Sequence, residues 1–370
     1  MKFSCEKPAL QSAINIASRA VASKSSIPAL EGLLLVCADG YVTVTGYNMQ
    51  LGIRTRFACE TERDGALVLN ARLLGDIVRR MSEDTVTLDG RLAPAVKLHC
   101  GDADYDIASL PASDFPELPE VEETNSFALA EKTLGAMIRQ TSFSVSTNEA
   151  RPVHMGSLFE VGAKELTMVS VDGFRLALRR EQLEQTASGV FSFVAPGTAL
   201  NEVERVCEDL DEPARVTLGD RHVLFELGET ELICRRLEGE FLDYKNAIPR
   251  RNSIVLTVDT GAMIESLDRV GVVISEKLKS PVRCRFGQDT VTFSARTANG
   301  EAKDVCRLEG DGKDLEIGFN NRYLTEALRY APADKVRLEL NSSISPAIIV
   351  PTAEEDESFL YMVLPVRLKA

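Results

Sequence analysis

The sequence predicts an α+β chain built from one module repeated three times, each copy laying two helices on one face of a β-sheet. Short boxes return at a near-constant period, and each third reads helix, strands, helix, strands. At 370 residues the chain is also too long for one ordinary core and suits two or three domains.

The first box is VSVDGFRLAL, 169–178, which reads as a strand, a tight turn at Asp172-Gly173 and a second extended segment. Its counterparts are VTGYNMQLGI at 44–53 and FSARTANGEA at 293–302, so Asn48, Asp172 and Thr297 stand 172 − 48 = 124 and 297 − 172 = 125 apart. A second box, LPASDFPELP around Phe115, is answered by LEGEFLDYKNAIP around Phe241 and FLYMVLPVRL around Leu364, with offsets of 241 − 115 = 126 and 364 − 241 = 123. A third places Asn70 and Asn320 apart by 320 − 70 = 250, two periods, with Pro196 at the matching point between them. This unit is far longer than a solenoid repeat. Each copy is therefore a domain, with boundaries at 1–121, 122–250 and 251–370.

In the first unit, Leu10, Ala13, Ile14, Ala17 and Val21 form one apolar stripe of a helix over 7–22. Lys7 and Arg19 lie on its other face, and Lys24 follows. An extended run over 33–46 turns at Asp39-Gly40, and a strand crosses 53–59. Asn70 is placed to cap a second helix that buries Leu73, Leu74, Ile77, Val78 and Met81 and exposes Arg72, Arg79 and Arg80. Hairpin-like stretches then lead to the proline-rich segment 111–119. The second unit repeats the order. Its helix over 130–141 points Leu134, Met137 and Ile138 inward and Lys132 and Arg139 outward, and a turn is expected at 162–164. A helix over 198–210 buries Leu200, Val203, Val206 and Cys207. The third unit reads as a helix over 260–274, a hairpin over 282–295, a helix over 321–330 and three closing strands. If the units join by strand pairing, their sheets run on continuously with all helices on one side.

A net charge of −14 excludes a protein that coats nucleic acid with its whole surface, while leaving room for a local basic face. Three scattered histidines and eight cysteines with no C-x-x-C pair offer little for a metal, so no metal, cofactor or catalytic residue is expected. No apolar run approaches a membrane span of about 20 residues. The N-terminus lacks the apolar core of a signal peptide, and singly scattered cysteines suggest no disulfide framework, so a reducing cytoplasm and no membrane partner are expected. A carboxylate-dependent hydrolase would need converging acids, and Asp172, Asp243 and Glu276 stand in no recognised catalytic spacing. Gly310-Asp311-Gly312-Lys313 lacks the Walker spacing and reads as a turn. A non-catalytic multidomain scaffold is the remaining alternative to a nucleic-acid binder.

The triple repeat, with LPASDFPELP, VSVDGFRLAL and the terminal YMVLPVRL, resembles the bacterial DNA sliding clamp family, the β subunit of the replicative DNA polymerase III holoenzyme, over the whole chain. The resemblance implies a head-to-tail homodimer that closes a ring around double-stranded DNA with helices lining the hole. It also implies a processivity factor without sequence specificity, whose partners are the polymerase catalytic subunit, the clamp loader and other repair and replication proteins that carry a clamp-binding peptide. Size agrees: domains of roughly 35 Å diameter, set around a duplex about 20 Å wide, close a circle with between five and six members. Two chains supply six. Their contacts would be heterologous yet closed by two-fold symmetry.

Sliding needs cations that track phosphate without reading bases. The candidates are Lys24, Arg19, Arg79, Arg80, Lys132, Arg139, Arg151, Arg269 and Arg329; Lys24 and Arg151 fall at basic positions used by relatives. Gly197-Thr198 and Pro152-Val153 depart from the basic and aromatic pairs found there in relatives. The resemblance also implies a cleft for a short partner peptide, often a glutamine followed by hydrophobic residues. Carried over, its positions are Val171, Gly173, Phe174, Arg175 and Leu176, then Leu242, Asn246 and Ala247. The third unit adds Leu278, Asn320, Tyr323, Ile344 and Pro346, and the tail adds Met362, Val363, Leu364, Pro365, Val366, Arg367 and Leu368. Leu242 stands where relatives commonly have proline, and Val171 where they have threonine.

Overall fold

The computed structural model describes residues 1–183, 187–274 and 280–368. It divides into two compact units, Met1–Leu134 with Glu202–Arg236, and Gly135–Asn201 with Leu237–Ala370. The chain begins with β1 (Lys2–Glu6), α1 (Lys7–Ala17), β2 (Gly32–Ala38), β3 (Tyr41–Tyr47), β4 (Leu51–Ala58), β5 (Glu60–Arg63) and β6 (Gly65–Asn70). Then come α2 (Ala71–Arg80), β7 (Thr85–Asp89), β8 (Ala95–Cys100), β9 (Ala103–Pro111), β10 (Asn125–Ala130) and α3 (Glu131–Ser142). The middle continues with β11 (Gly156–Val161), β12 (Glu165–Val171), β13 (Arg175–Gln182), β14 (Phe191–Pro196), α4 (Gly197–Val206), β15 (Pro213–Leu218), β16 (His222–Leu227) and β17 (Thr230–Arg235). The last part holds α5 (Tyr244–Ala247), β18 (Ile254–Asp259), α6 (Thr260–Gly271), β19 (Val282–Thr297), β20 (Gly300–Phe319), α7 (Asn321–Arg329), β21 (Lys335–Leu340), β22 (Ala347–Val350) and β23 (Phe359–Val363).

The first unit is a 13-stranded sheet in the order β10-β15-β16-β17-β4-β3-β2-β6-β9-β8-β7-β1-β5. Strand alternation turns Leu33, Leu35, Val42, Val44, Leu67 and Leu69 toward Leu10, Ile14, Leu74 and Val78 of α1 and α2, which makes one core. On the opposite face, Phe115 of the proline-rich segment packs on Tyr47 and Val68. The second unit is a 10-stranded sheet, β14-β11-β12-β13-β23-β22-β21-β18-β20-β19. Its main core joins Met263, Leu267, Leu324 and Leu328 of α6 and α7 to Leu256, Phe286, Phe293, Phe319 and Tyr361. Strand pairing joins the sequence thirds: β4 pairs β17 in the first unit, and β13 pairs β23 in the second.

The repeat survives in its turn chemistry. Asn48 Oδ1 accepts the backbone N–H groups of Gln50 and Leu51, Asp172 Oδ1 accepts those of Phe174 and Arg175, and Thr297 Oγ1 accepts that of Asn299. Three side chains at one repeat position thus close three equivalent turns. The Asn70 and Asn320 carboxamides cap α2 and α7, accepting from Leu73 N–H at 2.9 Å and Arg322 N–H at 3.0 Å. Asp39 (φ 52°) and Gly40 (φ 79°) make the expected two-residue hairpin between β2 and β3.

Four expectations are corrected. Leu73 is 46% exposed, because one residue turns a helix by about 100° and the apolar stripe runs through Leu74, Ile77 and Val78 beside it. α1 stops at Ala17 and tightens into a 3₁₀ turn over Ser18–Ala20, after which Val21 is extended. α4 stops at Val206, leaving Val206 and Cys207 half-buried, since Glu208, Asp209 and Asp211 oppose the negative C-terminal end of the helix dipole. Finally, 282–295 is no hairpin: β19 runs through it as one strand paired with β20, and Gly287–Asp289 faces Gly310–Lys313 across an irregularity in that ladder, where Asp311 Oδ1 accepts Lys313 N–H in a local turn.

Candidate partner cleft and nucleic-acid contacts

The second unit brings most of the predicted cleft residues onto one sheet region. In the β13–β23 ladder Arg175 faces Val363 and Leu176 faces Met362. The tail continues this contact: Leu364 N–H donates to Phe174 C=O at 2.9 Å, and Val366 N–H to Gly318 C=O at 2.7 Å. Gly318 is required there, since a Cβ on it would lie 2.7 Å from the backbone carbonyl oxygen of Val366. Val171, Leu176 and Met362 form an apolar floor with Leu158, Val169, Leu178, Val194, Tyr244 and Ile348. Val363 is turned the other way by alternation, into the main core with Ala177 and Tyr361.

At the rim stands Arg175, only 7% exposed. Its Nε donates to Asp172 Oδ2 at 2.9 Å, its Nη1 donates to Glu326 of α7, and its guanidinium lies 4.4 Å from the Tyr323 ring and 5.4 Å from that of Phe143. Phe174, 61% exposed, stacks on Tyr323 at 6.3 Å. Burial alone would raise the Glu326 carboxyl, but hydrogen bonds from Arg175 and Arg322 outweigh it and hold that group below its ordinary value. Leu242, Asn246 and Ala247 are exposed on or beside α5, and Ile344, 74% exposed, and half-buried Pro346 precede β22. Pro365 is half-buried and Arg367 exposed. Asn320 spends its carboxamide oxygen on the α7 cap. Leu278 lies outside the described residues. Exposed apolar side chains over a buried apolar floor, edged by main-chain and polar anchors, are what a short peptide needs.

Sequence reasoning did not find Glu326, Phe143 or Tyr244. Glu326 reads as an ordinary helix-surface partner of Arg322 four residues earlier, and nothing local announces that Arg175 meets it across 151 positions. Asp172 and Asp243, weighed above as catalytic acids, are committed to turn and cap hydrogen bonds. Glu276 lies outside the described residues. Among the described residues no three of His, Cys, Asp and Glu are grouped to hold a metal.

The nine basic candidates separate by pairing. Arg19 meets Glu202 at 3.2 Å, Arg79 and Arg80 share Asp76 at 3.4 Å, Lys132 meets Asp211 at 2.6 Å, and Arg329 meets Asp268 at 3.5 Å. Arg269 is held by Asp304 and Glu265. Arg139 is exposed and has a partner of its own. Lys24 and Arg151 are exposed and, among the described residues, meet no carboxylate within ion-pair distance, so their charges are available to an outside anion.

Family models for the N-terminal, central and C-terminal domains of the DNA polymerase III beta subunit match residues 1–119, 128–243 and 245–367. The beta sliding clamp of Synechococcus elongatus is 30% identical over 380 residues, covering all of both chains. That of Bacillus subtilis is 27% identical over 378 residues, 99% of this chain and 100% of its own. Among solved structures, the DNA polymerase sliding clamp from Bacillus subtilis superposes with a TM-score of 0.93 at 26% identity. A sliding clamp from Pseudomonas aeruginosa bound to griselimycin does so with 0.94 at 25%, and each of these two covers 100% of both chains.

Proposed function

Since the chain belongs to the DNA polymerase III beta-subunit family, the beta sliding clamps, we infer that it is a DNA polymerase processivity factor, a non-catalytic accessory subunit that holds duplex DNA by encircling it. The run of three clamp domains along the whole chain carries this reading. Two copies join head to tail, and the ring slides because its contacts are to phosphate and carry no sequence information. Lys24 and Arg151 supply such contacts, and the paired cations add to them where phosphate displaces a carboxylate. The replicative polymerase, the clamp loader and repair proteins dock by a short peptide at the cleft around Leu176, Arg175, Tyr323 and Leu364. The working compartment is the cytoplasm; no helix among the described residues is long and apolar enough to cross a membrane.

Two free strand edges support the head-to-tail joint. β9 pairs β8 over Ala103–Ala108 and meets β6 only from Ser109, so its outer edge carries exposed Asp104 and Asp106. β20 pairs β19 over Gly300–Arg307 and meets β18 only at Leu308 and Glu309, which leaves an edge over 300–307 with exposed Glu301, Lys303, Val305 and Arg307. Two unpaired edges on the same chain suit a second copy, and mutual pairing removes both as aggregation sites.

Primer extension on a long single-stranded circle, with a beta-clamp-dependent polymerase and its loader, tests the function. Products should lengthen many-fold in one binding event when the protein is present; unchanged lengths would refute the assignment.

A further inference from the structure

The cleft wall on α5 is four residues long, and an isolated helix shorter than about 12 residues is marginal in water. Yet Leu242, Asn246 and Ala247 depend on its placement. The Asp243 carboxylate accepts from Asn246 N–H at a long 3.4 Å and from the Asn246 carboxamide at 2.7 Å, but both contacts lie within the exposed segment and do not tie it to the sheet. Stronger support comes from below. The Tyr244 ring is buried in the apolar floor with Leu176 and Met362, and its hydroxyl donates to the Glu160 carboxylate. Lys245 Nζ reaches the same carboxylate at 3.1 Å. Glu160 stands on β11 two residues after Leu158, so alternation sends both to the floor side, while Phe159 between them stacks on Phe193 on the other face. One carboxylate thus receives two consecutive residues of α5.

We propose that Glu160 is a positioning residue for partner binding: by holding Tyr244 and Lys245 together it fixes α5, and with it Leu242, Asn246 and Ala247, against the apolar floor. The inference rests on the cleft reading and deepens it. Glu160 touches no partner atom; it sets where the wall stands. A hydrogen bond to an ionised acceptor is among the stronger kinds. Removing it frees the hydroxyl of a buried tyrosine to seek water and lifts the wall. Glu160→Gln keeps an acceptor for Tyr244 and loses the ion pair with Lys245.

The test uses the full-length protein and a fluorescein-labelled peptide with a glutamine followed by hydrophobic residues, read by anisotropy beside amide hydrogen exchange. Glu160→Ala should weaken binding about tenfold, Glu160→Gln by less, and Tyr244→Phe added to Glu160→Ala should cost little more. Exchange should rise at Asn246 and Ala247 while β12 and β13 keep their protection, a pattern that general destabilisation does not produce. Wild-type affinity in Glu160→Ala, or exchange rising across β11–β13 together, would overturn the proposal. Leu176→Asp in parallel separates the two claims. If that variant still binds the peptide, the cleft reading falls; if it does not while Glu160→Ala binds normally, only the positioning role falls.

Discussion

The molecule makes the same strand junction twice and uses it in opposite ways. In the first unit β4 follows the Asn48 turn and pairs β17; in the second, β13 follows the Asp172 turn and pairs β23. Position for position, Gly52 opposite Ile233 corresponds to Leu176 opposite Met362, and Arg54 opposite Glu231 to Leu178 opposite Leu360. The first junction is an ion-pair ladder: Arg54 Nε donates to Glu231 at 3.1 Å, Arg56 pairs with Glu229, and the Thr55 and Thr230 hydroxyls meet at 2.9 Å. Leu118 already fills the space over Gly52, where a Cβ would come within 2.4 Å of it. A concavity of about 1370 Å³ opens here, and the Arg54–Glu231 and Arg56–Glu229 pairs stand in its lining beside Leu34, Val36, Phe115 and Ile233. The second junction keeps one such pair, Arg180 with Glu357, where the first has Arg56 with Glu229, but the step that carries Arg54 and Glu231 in the first is Leu178 opposite Leu360 here, over an apolar floor. A peptide gains by covering leucine and methionine, and gains little by displacing a completed salt bridge. Docking therefore follows side-chain chemistry, not the strand geometry that both junctions share.

The contrast breaks most severely if the floor is charged. Leu176→Asp with Leu364→Asp should cost about 4 kcal/mol of peptide affinity, roughly 1000-fold, and remove polymerase stimulation while the dimer mass is kept. Retained stimulation would show that the floor is not the dock. Next in size is Arg175→Ala, which strands Asp172 and Glu326 in a half-buried site and should lower stability by about 3 kcal/mol in urea unfolding at pH 7. The sign with pH is fixed. The folded-state Glu326 carboxyl is depressed, so its contribution is present above its unfolded value of about 4.3 and is lost as pH falls through the lower folded value. Wild type should lose that increment on acidification and Arg175→Ala should not; parallel pH profiles would contradict the pairing. Smallest is Arg54→Leu with Glu231→Leu, which copies the Leu178–Leu360 pair into the first junction. The residues it removes are substantially exposed, so stability should move by less than about 1 kcal/mol. Calorimetry should still find one peptide per chain, because Leu118 remains over Gly52.

The repeat beneath this contrast was legible in the sequence because it is written in local chemistry. Asn48, Asp172 and Thr297 mark turns through their own side-chain oxygens, and Asn70 and Asn320 mark helix starts in the same way. Strand and helix stripes follow from burial and read well where the face is wide. Leu73 misled because a leucine at the edge of a stripe looks like one at its centre, and 282–295 misled because Gly-Gln-Asp spells a turn that a long partner strand overrides. The Arg175–Glu326 and Tyr244–Glu160 pairs were invisible for a different reason. They join residues 151 and 84 positions apart, and only the folded sheet sets their distance.

Encirclement itself is tested most directly by loading the labelled protein onto a closed DNA circle, removing free protein by gel filtration, and then cutting the circle once. A ring that holds by topology stays on the intact circle and leaves within the time needed to slide off the cut ends, with little change when salt is raised on the uncut circle. Equal release from cut and uncut DNA would contradict the account, because a protein that merely adheres has no ends to find.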